Sequence, residues 1–288
     1  MTEMKSFKVN NLLKKVVAGV AALTMCISVM PLSANAEGYS TGTTTSIQQV
    51  SNDVYNQVLE LGFDEDEAQY IVDHVDEDEI SSILGTGNSN TSVKRSVSKM
   101  DYCLENPTYS NVKGWNTDNT CGSVAATIFL VYLSCYHIPE ISYRSPKDLY
   151  NTLKGYIETG ARNSTISSLE LGIANYLNDT DDDDLNLGSQ MRSVVDGTSE
   201  VNFKKMCLLT IAQLDDDHPV LVGGKYSSAT TYGHVVVIEG IDIVNTSNGG
   251  VDTNNTYIYV NDGYGNTKQK INFKNFVNYN WEGIVYMF

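Results

Sequence analysis

The chain has 288 residues, of which 19 are basic and 35 acidic, for a formal net charge of −16. Charge of that sign repels phosphate backbones, so nucleic acid is not an expected partner, and its plainest meaning is a well-solvated surface. The length admits one substantial domain with a smaller attachment, and five cysteines are too few for a disulfide scaffold.

The first segment reads as a secretory signal. Lys5, Lys8, Lys14 and Lys15 precede the apolar stretch 16–30, and Ala34 to Ala36 supplies the small residues of a cleavage site. Residues 1–36 are therefore expected to be a signal peptide, cleaved after Ala36. Cys26 follows Met25, where a lipid-anchored precursor needs a small residue, so a soluble, secreted, extracellular product is expected. No later apolar run approaches the ~20 residues of a membrane span, and the mature chain is expected to stay off the membrane.

Residues 37–100 read as a small helical leader with a linker. Val54, Val58, Leu61, Ile71, Val75, Ile80 and Ile83 recur at three- and four-residue spacing, with a break at Gly62 to Asp64, which predicts two or three short acidic helices. Gly85 to Ser98 reads as a linker in which Lys94 and Arg95 form an exposed basic pair that a protease could cut. Two readings follow. The leader is a removable pro-region, an intramolecular partner for the cleft, or it is a permanent appendage.

From Asp101 to Phe288 the composition is that of a mixed globular domain. Helices are predicted over 121–136, 145–156, 164–177 and 203–211, and strands over 219–223, 233–240, 256–260, 268–273 and 283–288. Helices followed by an antiparallel sheet define the α+β class.

Two distant segments carry chemistry. Cys121 opens a long apolar helix after Asn116 to Thr120, residues suited to capping, so its sulfur is expected near unsatisfied backbone N–H groups that favour a thiolate. His234 opens the strand that runs through Ile238, a rigid element for an imidazole that titrates near neutral pH. Asp262, in the turn after another strand, is the candidate to orient that ring, with Asn261 as its alternative, because adjacent residues of a strand face opposite ways. Taken singly, each residue has a structural reading: a buried cysteine, a strand histidine, a turn acid. Their order along the chain favours chemistry.

The residues Thr120 to Ala126, Pro219 to Gly223, Gly233 to Gly240 and Tyr259 to Gly263 together resemble those of the papain-like cysteine peptidases, with the C39-like group the nearest likeness. The resemblance covers residues 101–288 and implies a papain-like fold, a helical half packed on an antiparallel sheet with the active site between them. It implies Cys121 as nucleophile, His234 as base, Asp262 as orienter, and a peptide or protein as substrate. The side-chain donor of the oxyanion hole is a Gln in the family. No Gln precedes Cys121 here, so Asn116, or Asn119 if it does not cap the helix, would take that role beside the Cys121 backbone N–H. A cell-wall peptide amidase or transpeptidase, or a secreted binding module without turnover, would use the same fold. Cys135 is expected in the core, and the histidine and cysteine spacings imply no metal and no cofactor.

Overall fold

Residue periodicity decides where this chain is helix and where it is sheet, and a computed structural model shows how the two halves meet. It describes residues 52–87, 92–97, 114–116, 120–157, 165–180, 186–225, 233–266 and 268–288. Residues 1–36, expected to be a signal peptide, and Asn119, Tyr232 and the acidic run 181–184 lie outside the described residues.

The leader forms three helices: α1 over 52–60, α2 over Glu65–His74 and α3 over Glu77–Leu84. Helix α2 starts on a capping box. The Asp64 side chain accepts from the Glu67 N–H at 2.8 Å, and the Glu67 carboxylate accepts from the Asp64 N–H at 3.3 Å. Gly85, at φ +85°, ends α3 in the left-handed conformation that glycine adopts without a Cβ penalty.

Part of the stretch read as a linker is a strand. Ser92–Ser96 is strand β1, antiparallel to the far half of the long strand β4 (His234–Val244), with Ser92 opposite Val244 and Ser96 opposite Gly240. Arg95 is no exposed cleavage signal either. Its guanidinium pairs with Glu79 at 2.9 Å and Asp215 at 2.8 Å, while the exposed Lys94 ammonium meets Asp242 at 3.3 Å. The physical reason is that alternate residues Val93 and Val97 are buried, which a five-residue strand achieves on a sheet edge.

After the leader comes α4 over Cys121–Tyr136, then α5 over Pro146–Ile157 and α6 over Ile166–Thr180. Helix α4 is buried from Gly122 through Leu133, as expected of a helix that is apolar all round. Its last turn emerges, so Cys135 is an exposed free thiol and not a core residue. A short 3₁₀ turn and strand β2 (Met191–Val195) follow, the latter not expected from the sequence. Helix α7 (Glu200–Asp215) is capped by Ser199 and runs a turn further than its apolar pattern predicts.

Strands β3 (Val220–Gly224), β4, β5 (Tyr257–Asn261) and β6 (Gln269–Asn272), a short helix α8 (Phe273–Phe276) and β7 (Gly283–Met287) complete the fold. The sheet is antiparallel in every pairing, in the order β2-β7-β3-β4-β5-β6, and β1 joins β4 beyond the end of β3. Helix α4 packs on β3 and β4, and α7 on β1 to β4 and β7. This is an α+β domain compatible with a papain-like architecture, and the leader is built into its sheet. Val58, Ile71, Ile80 and Ile83 are fully buried in the common core, where each side chain contributes about 1.5–3 kcal/mol.

Candidate active site

Three segments converge at one end of the sheet: the first turn of α4, the first residue of β4 and the turn that follows β5. Cys121 is the first residue of α4 and remains half exposed. Thr120, not Asn119, occupies the cap position, and its side chain makes no capping bond. The Thr120 hydroxyl instead donates to the Trp115 carbonyl at 2.8 Å, and the Tyr150 hydroxyl donates to the same oxygen at 2.9 Å. These bonds fold the approach to the cysteine back on itself. They hold the neighbouring Asn116 near the mouth of the helix.

His234 sits at the start of β4, half buried, with Gly224 as its cross-strand partner. Its Nε2 lies 2.9 Å from the Asp262 carbonyl oxygen. A carbonyl can only accept, so Nε2 carries the proton and Nδ1 of the neutral ring keeps its lone pair. The bond therefore fixes a tautomer as well as an orientation. Burial pushes the His234 pKa down, opposed by the bond to the Asp262 carbonyl and by the Asp262 charge.

Asp262 thus holds the ring, but through its main chain. Its carboxylate is engaged elsewhere: Oδ1 accepts from the N–H groups of Tyr264 at 2.8 Å and Asn266 at 3.1 Å, and Oδ2 from the Asn266 side chain at 2.6 Å. Asn261 acts likewise on the turn, accepting from the Gly263 N–H at 3.0 Å. Both side chains are local turn formers, the behaviour typical of Asp and Asn when donors lie two residues on. The bond at Nε2 is to the Asp262 carbonyl, in a turn that the Asp262 carboxylate holds.

Gly263 fastens this turn to the cysteine helix. It has φ +70°, and a Cβ there would stand 3.1 Å from Val124 Cγ1 and 3.3 Å from Asn116 Nδ2. Only glycine permits both the conformation and the approach. The next residue, Tyr264, is 45% exposed and stacks on the His234 ring with centroids 5.2 Å apart and planes 17° from parallel. The Tyr264 hydroxyl is pushed up by burial first, then by Cys121 and Asp262. Tyr264 thus lies against the imidazole and within electrostatic reach of the thiol. Sequence reading missed it, although its place two residues after Asp262 was a usable signal.

Asn116 Nδ2 is buried and has no hydrogen-bond partner among the described residues. A buried donor left unpaired costs about 1–3 kcal/mol, so its presence beside the cysteine helix calls for an acceptor.

The other three histidines lie elsewhere. His137 follows α4 at the end opposite Cys121, ~24 Å along a 16-residue helix. Its ring meets His218 edge-on at 4.3 Å. His74 and His218 approach Asp216 at 3.9 and 3.6 Å.

A family model described as Peptidase_C39 like family matches residues 104–287, most of the chain from before α4 to the last strand. No curated protein and no solved structure matches the chain.

Proposed function

The chain belongs to the Peptidase_C39 like family, and from that premise we propose that it is a secreted cysteine peptidase in which Cys121 and His234 cleave peptide bonds. The observation that carries this reading is the bond between His234 Nε2 and the Asp262 carbonyl, an acceptor that favours the tautomer with Nδ1 basic, while Tyr264 stacks on the ring within electrostatic reach of Cys121.

In this reading Nδ1 takes the thiol proton, and the Cys121 sulfur attacks the carbonyl carbon of the scissile bond. The negative charge passes to the former carbonyl oxygen. Donors for it are the Cys121 backbone N–H and the unpaired Asn116 amide. The imidazolium then gives its proton to the leaving nitrogen, the C–N bond breaks, and a thioester remains. Water attacks that thioester with Nδ1 as base, which releases the acid and restores the thiol.

Within this proposal residues 1–36 direct secretion, and residues 52–97 stay in the mature enzyme as part of its sheet. Strand β1 pairs with β4 from Gly240 onward, ~20 Å along the strand from His234 at ~3.3 Å per residue, which suits a structural role better than a plug in the cleft. The test is the release of new amino termini from casein by the chain purified from residue 37. Activity that disappears in Cys121→Ala, with unchanged circular dichroism, supports the peptidase. Equal release by the variant, or none by either protein, counts against it.

A further inference from the structure

Beside His234 stands a group of side chains that takes no part in the steps above. Lys225 leaves β3 directly after Gly224, the cross-strand partner of His234, with its N–H on the Phe276 carbonyl at 2.9 Å. Its Nζ stands 4.2 Å from the centroid of Tyr279 and 5.1 Å from that of Trp281, and those two rings stack at 5.9 Å. Trp281 is 37% exposed, and a Cβ on Gly233 would stand 3.0 Å from its indole. The aromatic shelf therefore touches the residue immediately before the imidazole.

Behind the shelf Glu282 is fully buried. Burial pushes its carboxyl up to about 7, against the pull of the main-chain groups of Tyr279 and Asn278 and of Lys225. A carboxyl in that range is only partly ionised near neutrality, so it offsets the lysine in part.

The position of this cation relative to the chemistry gives it a side. His234 delivers its proton to the leaving nitrogen, so the leaving half of a substrate lies toward the histidine and its neighbours. Resting on the peptidase reading, we propose that Lys225, mounted on the Tyr279 and Trp281 rings, selects substrates that carry a carboxylate on the leaving side of the scissile bond. The carboxylate is an acidic side chain or the substrate's own free C-terminus. The exposed indole face beside it takes the apolar part of the same residue. Lys147, which stands 4.5 Å over Trp115 and 4.1 Å over Tyr150 on the cysteine side, is the internal control, a similar cation–π pair away from the leaving group.

The test is binding to the full mature chain carrying Cys121→Ser, so that turnover is not needed for a readout. The probes are alanine-based octapeptides with Glu, Gln or Lys at the fifth residue, each made with a free and an amidated C-terminus, and titrated by calorimetry. The Glu peptide should bind roughly three- to tenfold more tightly than the Gln peptide, in the range of a partly screened, charge-assisted contact. Lys225→Met should abolish the difference, Lys225→Glu should turn the preference to the Lys peptide, and Lys225→Arg and Lys147→Met should leave it intact. A carboxylate preference confined to the free C-terminal series identifies the terminal carboxylate as the ligand. Peptides that bind the parent alike whether they carry Glu or Gln and whether their C-terminus is free or amidated, or a preference that survives Lys225→Met in a variant of unchanged melting temperature, would overturn the proposal. The alkylation rate of Cys121 in the wild-type chain reports separately on the hydrolase reading itself.

Discussion

The two ends of helix α4 carry histidine, aspartate and tyrosine in different circumstances. At its start are a cysteine, a histidine, an aspartate and a tyrosine; at its end are His137, His218, His74, Asp216, Asp217 and Tyr70. In the first group the imidazole is tied by one nitrogen to a main-chain carbonyl, leaving the other nitrogen basic, and the thiol beside α4 is half exposed. In the second the rings face one another and carboxylates at 3.6 to 4.3 Å. Burial, followed by the charge of His137, pushes the pKa of His218 down to about 4. The start differs in placing a partly exposed thiol at the helix mouth and in tying its imidazole to a main-chain carbonyl.

The sharpest way to break this comparison is to remove what only one end needs. A chain that begins at Asp101 lacks β1, α2 and α3, so the β4 edge opens and the buried faces of Ile71, Ile80 and Ile83 are lost from the common core. It should show no cooperative thermal unfolding, and a melting temperature equal to that of the longer chain would contradict the integral role assigned to the leader. Next in size, His234→Ala should lower kcat/KM by about 10³-fold, within the range for loss of a general base, at unchanged melting temperature. His218→Ala should do the reverse and leave peptide cleavage within about threefold.

His218 also makes a pH prediction. Its folded pKa, about 4, lies below the unfolded value of about 6.5, so the unfolded chain takes up the proton first as pH falls. Its contribution to stability is present above pH ~6.5 and lost as pH drops toward 4. Urea unfolding of the wild type should weaken across that window, and the slope should flatten in His218→Gln.

Smaller effects probe the turn. Gly263→Ala places a side chain at φ +70° against Val124 and Asn116, which should cost about 1–2 kcal/mol of stability and reduce cleavage by displacing the Asp262 carbonyl. Asp262→Asn keeps that carbonyl and most of the turn's donors in place. It should retain cleavage within about tenfold, whereas a carboxylate acting directly on the ring would make the loss far larger.

Much of this was legible from the sequence, for identifiable reasons. The break at Gly62 to Asp64, the apolar run of α4 and the β-branched run of β4 are local signals, and each marked its element. Cys121 and His234 stood out because each opens such an element. Strand β1 was hidden because Ser92 to Ser96 is polar on one face and gains its partner 144 or more residues away in the chain. The carbonyl that holds His234 was equally invisible, since every residue has one and only the turn geometry selects it. Cys135 was misplaced because apolar neighbours continue past the point where α4 leaves the core.

The account stands on activation of Cys121 by His234, and the exposed free thiol of Cys135 is a built-in reference for mere accessibility. Iodoacetamide labelling at pH 6, followed by peptide mass spectrometry, measures both in one sample. Faster alkylation of the half-buried Cys121 than of Cys135, with the advantage lost in His234→Ala, is the predicted result. Labelling that follows exposure alone, with Cys135 ahead in both proteins, would contradict it.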